Sequence, residues 1–181
     1  ATLVNNLTVA LSGTAFGVDF NPAADRLRII SNTGQNLRHN VNTGGTTLND
    51  GTLTYTAPPA TPVAATGVAG AAYTNNDLDA STATTLFDID SALDQVSIQS
   101  PANNGILVAT GRLGVDSAET LGFDIYSSLS GGVTAGNRGM AVLTFLDGSS
   151  RLYSISLLTG RASMVGGFAA PVIDLAIPLN Q

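Results

Sequence analysis

The sequence predicts an all-β fold built from propeller-like blade repeats, and two observations lead to this prediction. Short alternating apolar runs are separated by Gly, Asn, Asp, Ser and Thr at roughly the eight-to-twelve-residue spacing that is typical of consecutive strands. Two sequence phrases also recur at a spacing of about 50 residues, which is the length of one propeller blade of short strands.

The first phrase is Gly-apolar-Asp-apolar, which we assign to the innermost strand of each blade. Its aspartates, in two full copies and one partial copy, are Asp19, Asp124 and Asp174. A further copy is expected near residue 69, where 67–70 fits the phrase with Ala69 in place of the aspartate. Equivalent positions in neighbouring blades therefore carry a carboxylate or an alanine.

The second phrase is a strand that ends in a turn, which we assign to the third strand of each blade. It occurs at 37–44, 87–90 and 153–160. The wider gap before the last copy matches a Gly- and Ser-rich stretch, 127–139, which we interpret as a long surface loop. The stretch 90–98 has some helical character, but we interpret it as a strand leading into a turn.

The repeats divide one domain, residues 1–181, into three units and two terminal strands. Residues 2–11 and 172–179 are each expected to form a strand outside the units. The simplest arrangement places both in one further, incomplete blade, with the C-terminal strand inside and the N-terminal strand outside. The three units are 13–55, 66–112 and 120–167.

Two longer segments carry a resemblance to a known family. They are 13–22, Gly-Thr-Ala-Phe-Gly-Val-Asp-Phe-Asn-Pro, and 25–38, Asp-Arg-Leu-Arg-Ile-Ile-Ser-Asn-Thr-Gly-Gln-Asn-Leu-Arg; 72–75 and 85–90 fit the segment that follows. Over essentially its whole length the chain resembles a bacterial family known as domain of unknown function forty-three ninety-four. The resemblance implies a secreted, propeller-like repeat domain, and it implies no activity because the family has none assigned.

Composition and charge exclude several classes of function. Charged residues are 11% of the chain, the formal net charge is -6 and the sequence pI is about 4.3, so no nucleic-acid partner is expected. No apolar run reaches the roughly 18 residues of a membrane span. The surface must be built largely from Thr, Ser, Asn and Gly, which indicates a secreted, extracellular protein, and the family resemblance implies a bacterial one. The absence of Cys excludes disulfides and thiolate metal sites.

Few side chains could support catalysis. His39 is the only histidine and there is no Cys, so a Cys-His pair is excluded and a Ser-His-Asp triad would have to use His39. In the repeat, His39 occupies an inward, normally apolar position, which favours a half-buried structural histidine. Glu119 is the only glutamate and aromatic residues are 6% of the chain, which does not favour a glycosidase. No catalytic residue is assigned.

The aspartates of the first phrase are the candidate site. Because the inner strands of a propeller converge on its axis, Asp19, Asp124 and Asp174 could form an oxygen-rich ring suited to a hard cation such as calcium. Alternatively, each carboxylate accepts backbone N–H groups within its own blade and locks the inner strand to the next turn. No cofactor is otherwise expected.

Two further groups of charged residues have structural interpretations. Arg26 and Arg28 alternate with apolar residues on a strand, so we expect them on its exposed face, paired with carboxylates such as Asp25. A second acidic group lacks the spacing of an EF-hand loop and is interpreted as a solvated loop. Its members are Asp77, Asp79, Asp88, Asp90 and Asp94.

Two classes of function remain. The first is a non-catalytic extracellular structural or interaction module, which forms an oligomer or filament with copies of itself or binds another extracellular protein. The predicted terminal strands favour it, because their edges are unpaired and almost uncharged. The alternative is a propeller that binds a cation or small ligand, or acts as a hydrolase, at its central channel.

Overall fold

A computed structural model describes residues 2–56, 61–77, 79 and 81–178, and these residues confirm the all-β prediction. Within the described ranges there is no α-helix, and the one helical turn is a 3-10 turn at Ala102–Asn104. The same ranges contain no helix long and apolar enough to cross a membrane. The strands belong to three separate sheets.

The first sheet is antiparallel, with its strands adjacent in chain order. Its second strand pairs on both edges, with Asp19 opposite Arg28 on one side and Leu37 opposite Ile29 on the other. The strands are β1 (Phe16–Asn21), β2 (Arg26–Ser31), β3 (Asn36–His39) and β4 (Thr47–Asn49).

The second sheet has six strands in the order β6-β5-β10-β9-β8-β7. They are β5 (Thr54–Tyr55), β6 (Val63–Ala64), β7 (Val68–Tyr73), β8 (Leu86–Asp90), β9 (Gln95–Gln99) and β10 (Ile106–Arg112). Strand β5 runs parallel to β10, and the Thr54 N–H donates to the Gly105 C=O at 2.8 Å. Tyr55, the predicted end of the first unit, therefore belongs to the second sheet.

The third sheet is antiparallel and consists of β11 (Leu121–Ser130), β12 (Val133–Thr144), β13 (Ser150–Ile155) and β14 (Ala162–Gly167). The prediction of a loop at 127–139 is wrong, since these residues lie in the long β11–β12 hairpin. Gly131 and Gly132 have φ values of 63° and 84°, which a two-residue hairpin turn requires. Cross-strand pairing outweighs the low strand propensity of Gly and Ser.

The assignment of the second phrase to the third strand of each blade is wrong for its middle copy, at 87–90. Leu37 and Tyr153 lie in β3 and β13, the third strands of their sheets, but Phe87 lies in β8, which follows β7 as the second strand of its meander. The connection between β7 and β8 is long. Strand β8 therefore begins at the residue number at which a third strand was expected.

The predicted terminal strands are also wrong. Neither 2–11 nor the described part of 172–179 forms a strand, and Leu179 lies outside the described residues. The N-terminal segment packs against β3 and β4 through side chains: the backbone N–H of Thr8 donates to Thr47 Oγ1 and that of Thr47 to Thr8 Oγ1, both at 2.9 Å. These bonds take the place of a strand ladder. They join the N-terminal segment to the first sheet, whereas the predicted incomplete blade paired it with the C-terminal segment.

Two apolar clusters hold the sheets together. One contains residues of the first and second sheets, among them Ile30, Tyr73 and Leu86. The other contains residues of the second and third sheets, among them Phe87 and Phe123. Strand β7 contributes to both clusters and is buried along its whole length.

Candidate functional site

Strands β1, β7 and β11, with which the antiparallel meander of each sheet begins, lie side by side, and we call them the first strands. Strand β1 packs against β7, and β7 packs against β11. A Cβ atom on Gly17 would collide with the backbone of Ala71, and one on Gly122 would collide with the backbone of Leu175. The glycine of the first phrase is therefore needed because backbone approaches backbone at this position.

The three predicted site residues, Asp19, Asp124 and Asp174, line one cavity of about 240 Å³ between these strands. Residues 174–176 of the C-terminal segment form one side of this cavity. The recurrence of aspartate in the sequence thus corresponds to a shared location in the fold.

The carboxylate of Asp19 joins β1 to β7. Its Oδ1 accepts the backbone N–H of Phe20 at 2.7 Å, and its Oδ2 accepts the N–H of Tyr73 at 2.6 Å. One carboxylate thus holds its own strand and the first strand of the next sheet. We call this arrangement the aspartate clamp.

Asp124 forms a second clamp with the same geometry. Its Oδ1 accepts the N–H of Ile125 at 2.7 Å, and its Oδ2 accepts the N–H of Ile177 at 2.6 Å. The C-terminal segment is therefore fixed to β11 although it forms no ladder there. The alternative prediction was that these aspartates accept backbone N–H groups, and Asp19 and Asp124 do so. The bond to Oδ2, however, comes from the neighbouring segment and not from a turn of the same blade.

Asp174 makes only the first half of this arrangement. Its Oδ1 accepts the N–H of Leu175 at 2.7 Å, whereas no donor to its Oδ2 is found in the described part of the chain. The side chain is exposed. Residue 172, at the position of the phrase's glycine, is a valine.

The clamps correct the position of the copy that lacks an aspartate. Ile177 follows Asp174 by three residues, and Tyr73 follows Gly70 by three residues. Gly70, not Ala69, is therefore equivalent to the aspartates. A bulge between Val68 and Gly70 shifts the register of β7 by one residue, which the sequence pattern did not reveal.

The carboxylates of this cavity are electrostatically linked. The pKa of Asp19 is raised to about 7, mainly by burial. The hydrogen bond from the Tyr73 N–H opposes this shift, and the charge of Asp124 contributes to it. Burial also raises the pKa of Asp124, and the charge of Asp174 adds to this effect. Ionisation of one carboxylate thus disfavours ionisation of the next.

Calcium binding by these aspartates stays a prediction. Among the described residues, no group of three or more His, Cys, Asp and Glu side chains is placed to hold a metal ion. The oxygens of Asp19 and Asp124 already accept backbone N–H groups.

His39, which was expected to be half-buried, is almost fully buried, at 3% exposed. Its Nδ1 lies 3.0 Å from Thr47 Oγ1 and its Nε2 lies 2.7 Å from Asn5 Oδ1, so it connects β3 to the N-terminal segment. Glu119 lies just before β11, and its Oε2 accepts Asn32 Nδ2–H at 2.9 Å. Both residues act as hydrogen-bond partners between segments.

The prediction of an exposed Arg28 is wrong, since this side chain is only 1% exposed. The face of β2 that carries Arg28 and Ile30 packs towards the second sheet, so both faces of the strand are covered. Arg26 instead donates to backbone carbonyls of its own turn, including that of Asp25 at 2.6 Å. Ile30, on the same face as Arg28, was the sequence signal of burial.

Arg28 is the centre of a buried polar network. Its guanidinium donates to Asp50 Oδ2 and Asn36 Oδ1 at 2.7 Å, to Asn103 Oδ1 at 2.8 Å and to Tyr73 Oη at 3.2 Å. Arg38 binds the same Asp50 carboxylate at 2.6 Å. This network joins the first and second sheets.

The second acidic group is not a solvated loop as a whole. Asp88 and Asp90 are buried in β8, and Asp77 is buried where its Oδ2 accepts the Thr134 N–H and Oγ1–H at 2.9 and 2.6 Å. Burial raises the pKa of Asp88 well above its usual range. Of the five members only Asp79 is exposed, and Asp94 is partly buried.

Comparison with known proteins identifies a family but supplies no activity. No curated protein and no solved structure matches the chain. The model of the family described as domain of unknown function DUF4394 matches residues 1–176, almost the full length of the chain. The chain therefore belongs to the DUF4394 family.

Proposed function

We propose that this protein is a non-catalytic, extracellular interaction module of propeller-like arrangement, which assembles with a second copy of itself through the outer edge of β14. The unprotected edge of β14 is the observation that carries the proposal. Three sheets whose first strands lie side by side, with one clamp between β1 and β7 and another between β11 and the C-terminal segment, support the propeller-like part. The low charge and the Thr-, Ser- and Asn-rich composition support the extracellular part.

Strand β14 pairs with β13 on one side only. On its other side, the N–H of Ala162 donates to the Leu113 C=O at 2.9 Å, and no further backbone bond reaches this edge in the described ranges. Residues 163–167 carry no charge, and Met164 and Val165 are 59% and 54% exposed. Edge strands of soluble proteins usually carry a charge, a proline or a cover that blocks such pairing.

The most direct partner for this edge is β14 of a second copy. Two identical strands can pair antiparallel about a two-fold axis, which gives a closed dimer with one continuous sheet across the interface. Such pairing would satisfy the free backbone groups and cover Met164 and Val165. The edge expected to assemble is thus β14, and not the terminal segments named from the sequence.

Light scattering over a range of concentrations tests the proposal. The wild-type protein should reach the mass of a dimer at micromolar concentration, and the double variant Met164→Lys, Val165→Lys should remain monomeric because its charges oppose pairing. Leu146→Lys is the matched control, since Leu146 is exposed in the β12–β13 turn away from this edge. A monomeric wild type at high micromolar concentration, or a double variant that dimerises like the control, would refute assembly through β14.

A further inference from the structure

A second cavity, of about 520 Å³, opens between the second and third sheets. Buried Phe87 and Ile155 and partly buried Leu157 supply its apolar surface. Polar atoms of Asn75, Asn137 and other residues supply the remainder. Its volume and mixed lining lie within the range of sites for small organic molecules.

One wall of this cavity is held by an amide pair. The backbone N–H of Asn75 donates to Asn137 Oδ1 at 3.0 Å, and Asn137 Nδ2–H donates to Asn75 Oδ1 at 2.7 Å. Ser127 Oγ–H donates to the same Asn137 Oδ1 at 2.8 Å. The wall is therefore ordered before any ligand enters, which lowers the entropic cost of binding.

Arg138 lines the same cavity and is exposed. Most arginine side chains in the protein have a partner. Arg28 and Arg38 bind Asp50. Arg112 donates to the backbone carbonyl of Leu93, and Arg151 lies over the Phe145 ring. Arg138 makes no hydrogen bond or ion pair with any described residue. A free guanidinium beside an apolar surface is suited to a carboxylate, which it can bind with two parallel hydrogen bonds.

We infer that this cavity binds a small anionic molecule with an apolar body, of the class of medium-chain or aryl carboxylates. The carboxylate binds the guanidinium of Arg138, and the apolar body packs against Phe87, Ile155 and Leu157. None of the residues that line the cavity lies in β14, the strand of the proposed dimer.

Three probes of equal chain length test the inference: hexanoate, hexanol and hexylammonium, titrated into ¹⁵N-labelled protein with amide chemical shifts as the readout. Hexanoate should cause saturable shifts at Asn75, Phe87 and Leu157, and hexylammonium should not. The variant Arg138→Gln should weaken hexanoate binding about tenfold, the equivalent of ~1.4 kcal/mol, and leave the weak binding of hexanol unchanged. Arg161→Gln is the matched control, because Arg161 is also exposed and its side chain has no partner among the described residues.

Each other outcome would overturn the inference. Equal affinity for the three probes would mean that the cavity does not recognise an anion. Equal losses in Arg138→Gln and Arg161→Gln would mean that hexanoate responds only to overall charge. Absence of saturable shifts with hexanoate, and also with benzoate added as an aryl carboxylate, would show that the cavity is not a site for this class.

Discussion

The aspartate clamp depends on one carboxylate that is stabilised by two backbone N–H groups and destabilised by burial. At Asp19 the effect of burial is the larger, so its pKa in the folded protein, about 7, lies above the ordinary 3.8. The folded state therefore binds more protons than the unfolded state between about pH 4 and pH 7. The contribution of Asp19 to the free energy of unfolding therefore falls as the pH rises through this window and levels off above it.

Asp19→Asn should reduce this pH dependence, because the amide does not titrate. Between pH 5 and pH 8, the free energy of unfolding measured in urea should fall less in the variant than in the wild type. The variant should also be less stable at pH 5, since an amide nitrogen cannot accept the second N–H. Asp79→Asn is the control, because Asp79 is exposed and its pKa is lowered by Ser81. Equal pH dependence in Asp19→Asn and the wild type would contradict the assignment.

Arg28 and Arg26 lie two residues apart on β2 but should differ widely in their contribution to stability. Arg28→Gln should lower the free energy of unfolding by about 3–5 kcal/mol, because it leaves buried partners, including Asp50, without their full set of donors. Arg26→Gln should change it by about 0.5 kcal/mol or less, as is usual for a surface position. Urea titrations of the two variants measure the difference, and equal losses would show that Arg28 is not the centre of the network.

At the scale of the elements, a close backbone approach holds the C-terminal segment, although it forms no strand. Gly122 of β11 leaves room for the backbone of Asp174 and Leu175, and the clamp of Asp124 then binds the N–H of Ile177. A further bond, from the Val172 N–H to Ser150 Oγ at 3.2 Å, fixes the start of the segment to β13. The glycine and the carboxylate fix the part that lines the cavity.

Gly122→Ala should detach this segment, because the added Cβ would overlap the backbone of Leu175. We expect faster hydrogen exchange at the Ile177 N–H and a loss of about 1–3 kcal/mol in stability, as for other overpacked positions. Gly166→Ala, measured at a concentration where the protein is monomeric, is the matched control, since no atom lies near a Cβ built there. Unchanged exchange at Ile177 in Gly122→Ala would refute the proposed attachment.

At the scale of the whole molecule, the row of first strands has two open ends. On β1, Val18 and Phe20 are exposed, while Gly17 and Asp19 are directed towards β7. At the other end, Asp174 makes half of a clamp and Ile173 is exposed. The cavity between these ends contains three carboxylates but does not bring them together as a metal centre.

Treatment with EDTA should leave the melting temperature of the protein unchanged, because the clamp oxygens accept backbone N–H groups. Differential scanning calorimetry with EDTA and with added calcium measures this. A stoichiometric metal in the purified protein, with a marked fall in melting temperature in EDTA, would instead support the calcium site at Asp19, Asp124 and Asp174. In that case, Asp174→Asn should reduce the effect of calcium.

Several features were predictable from the sequence because they depend on local pattern. Alternation of apolar residues and regular turn residues determine an all-β chain. Recurrence of the Gly-apolar-Asp phrase located the aspartates that line one cavity, because equivalent backbone contacts require the same residue types. The burial of His39 followed from its apolar position in that repeat.

The tertiary structure alone decided which strand faces are covered and which edges remain open. Alternation identifies the two faces of a strand. Whether the second face meets solvent or another sheet depends on residues far along the chain. For this reason Arg28 and Asp88 are buried where exposure was expected. The unpaired edge of β14 and the attachment of residues 2–11 to the first sheet likewise depend on long-range contacts. A local pattern determines the elements, and the free energy of burying their remaining surfaces determines how they assemble.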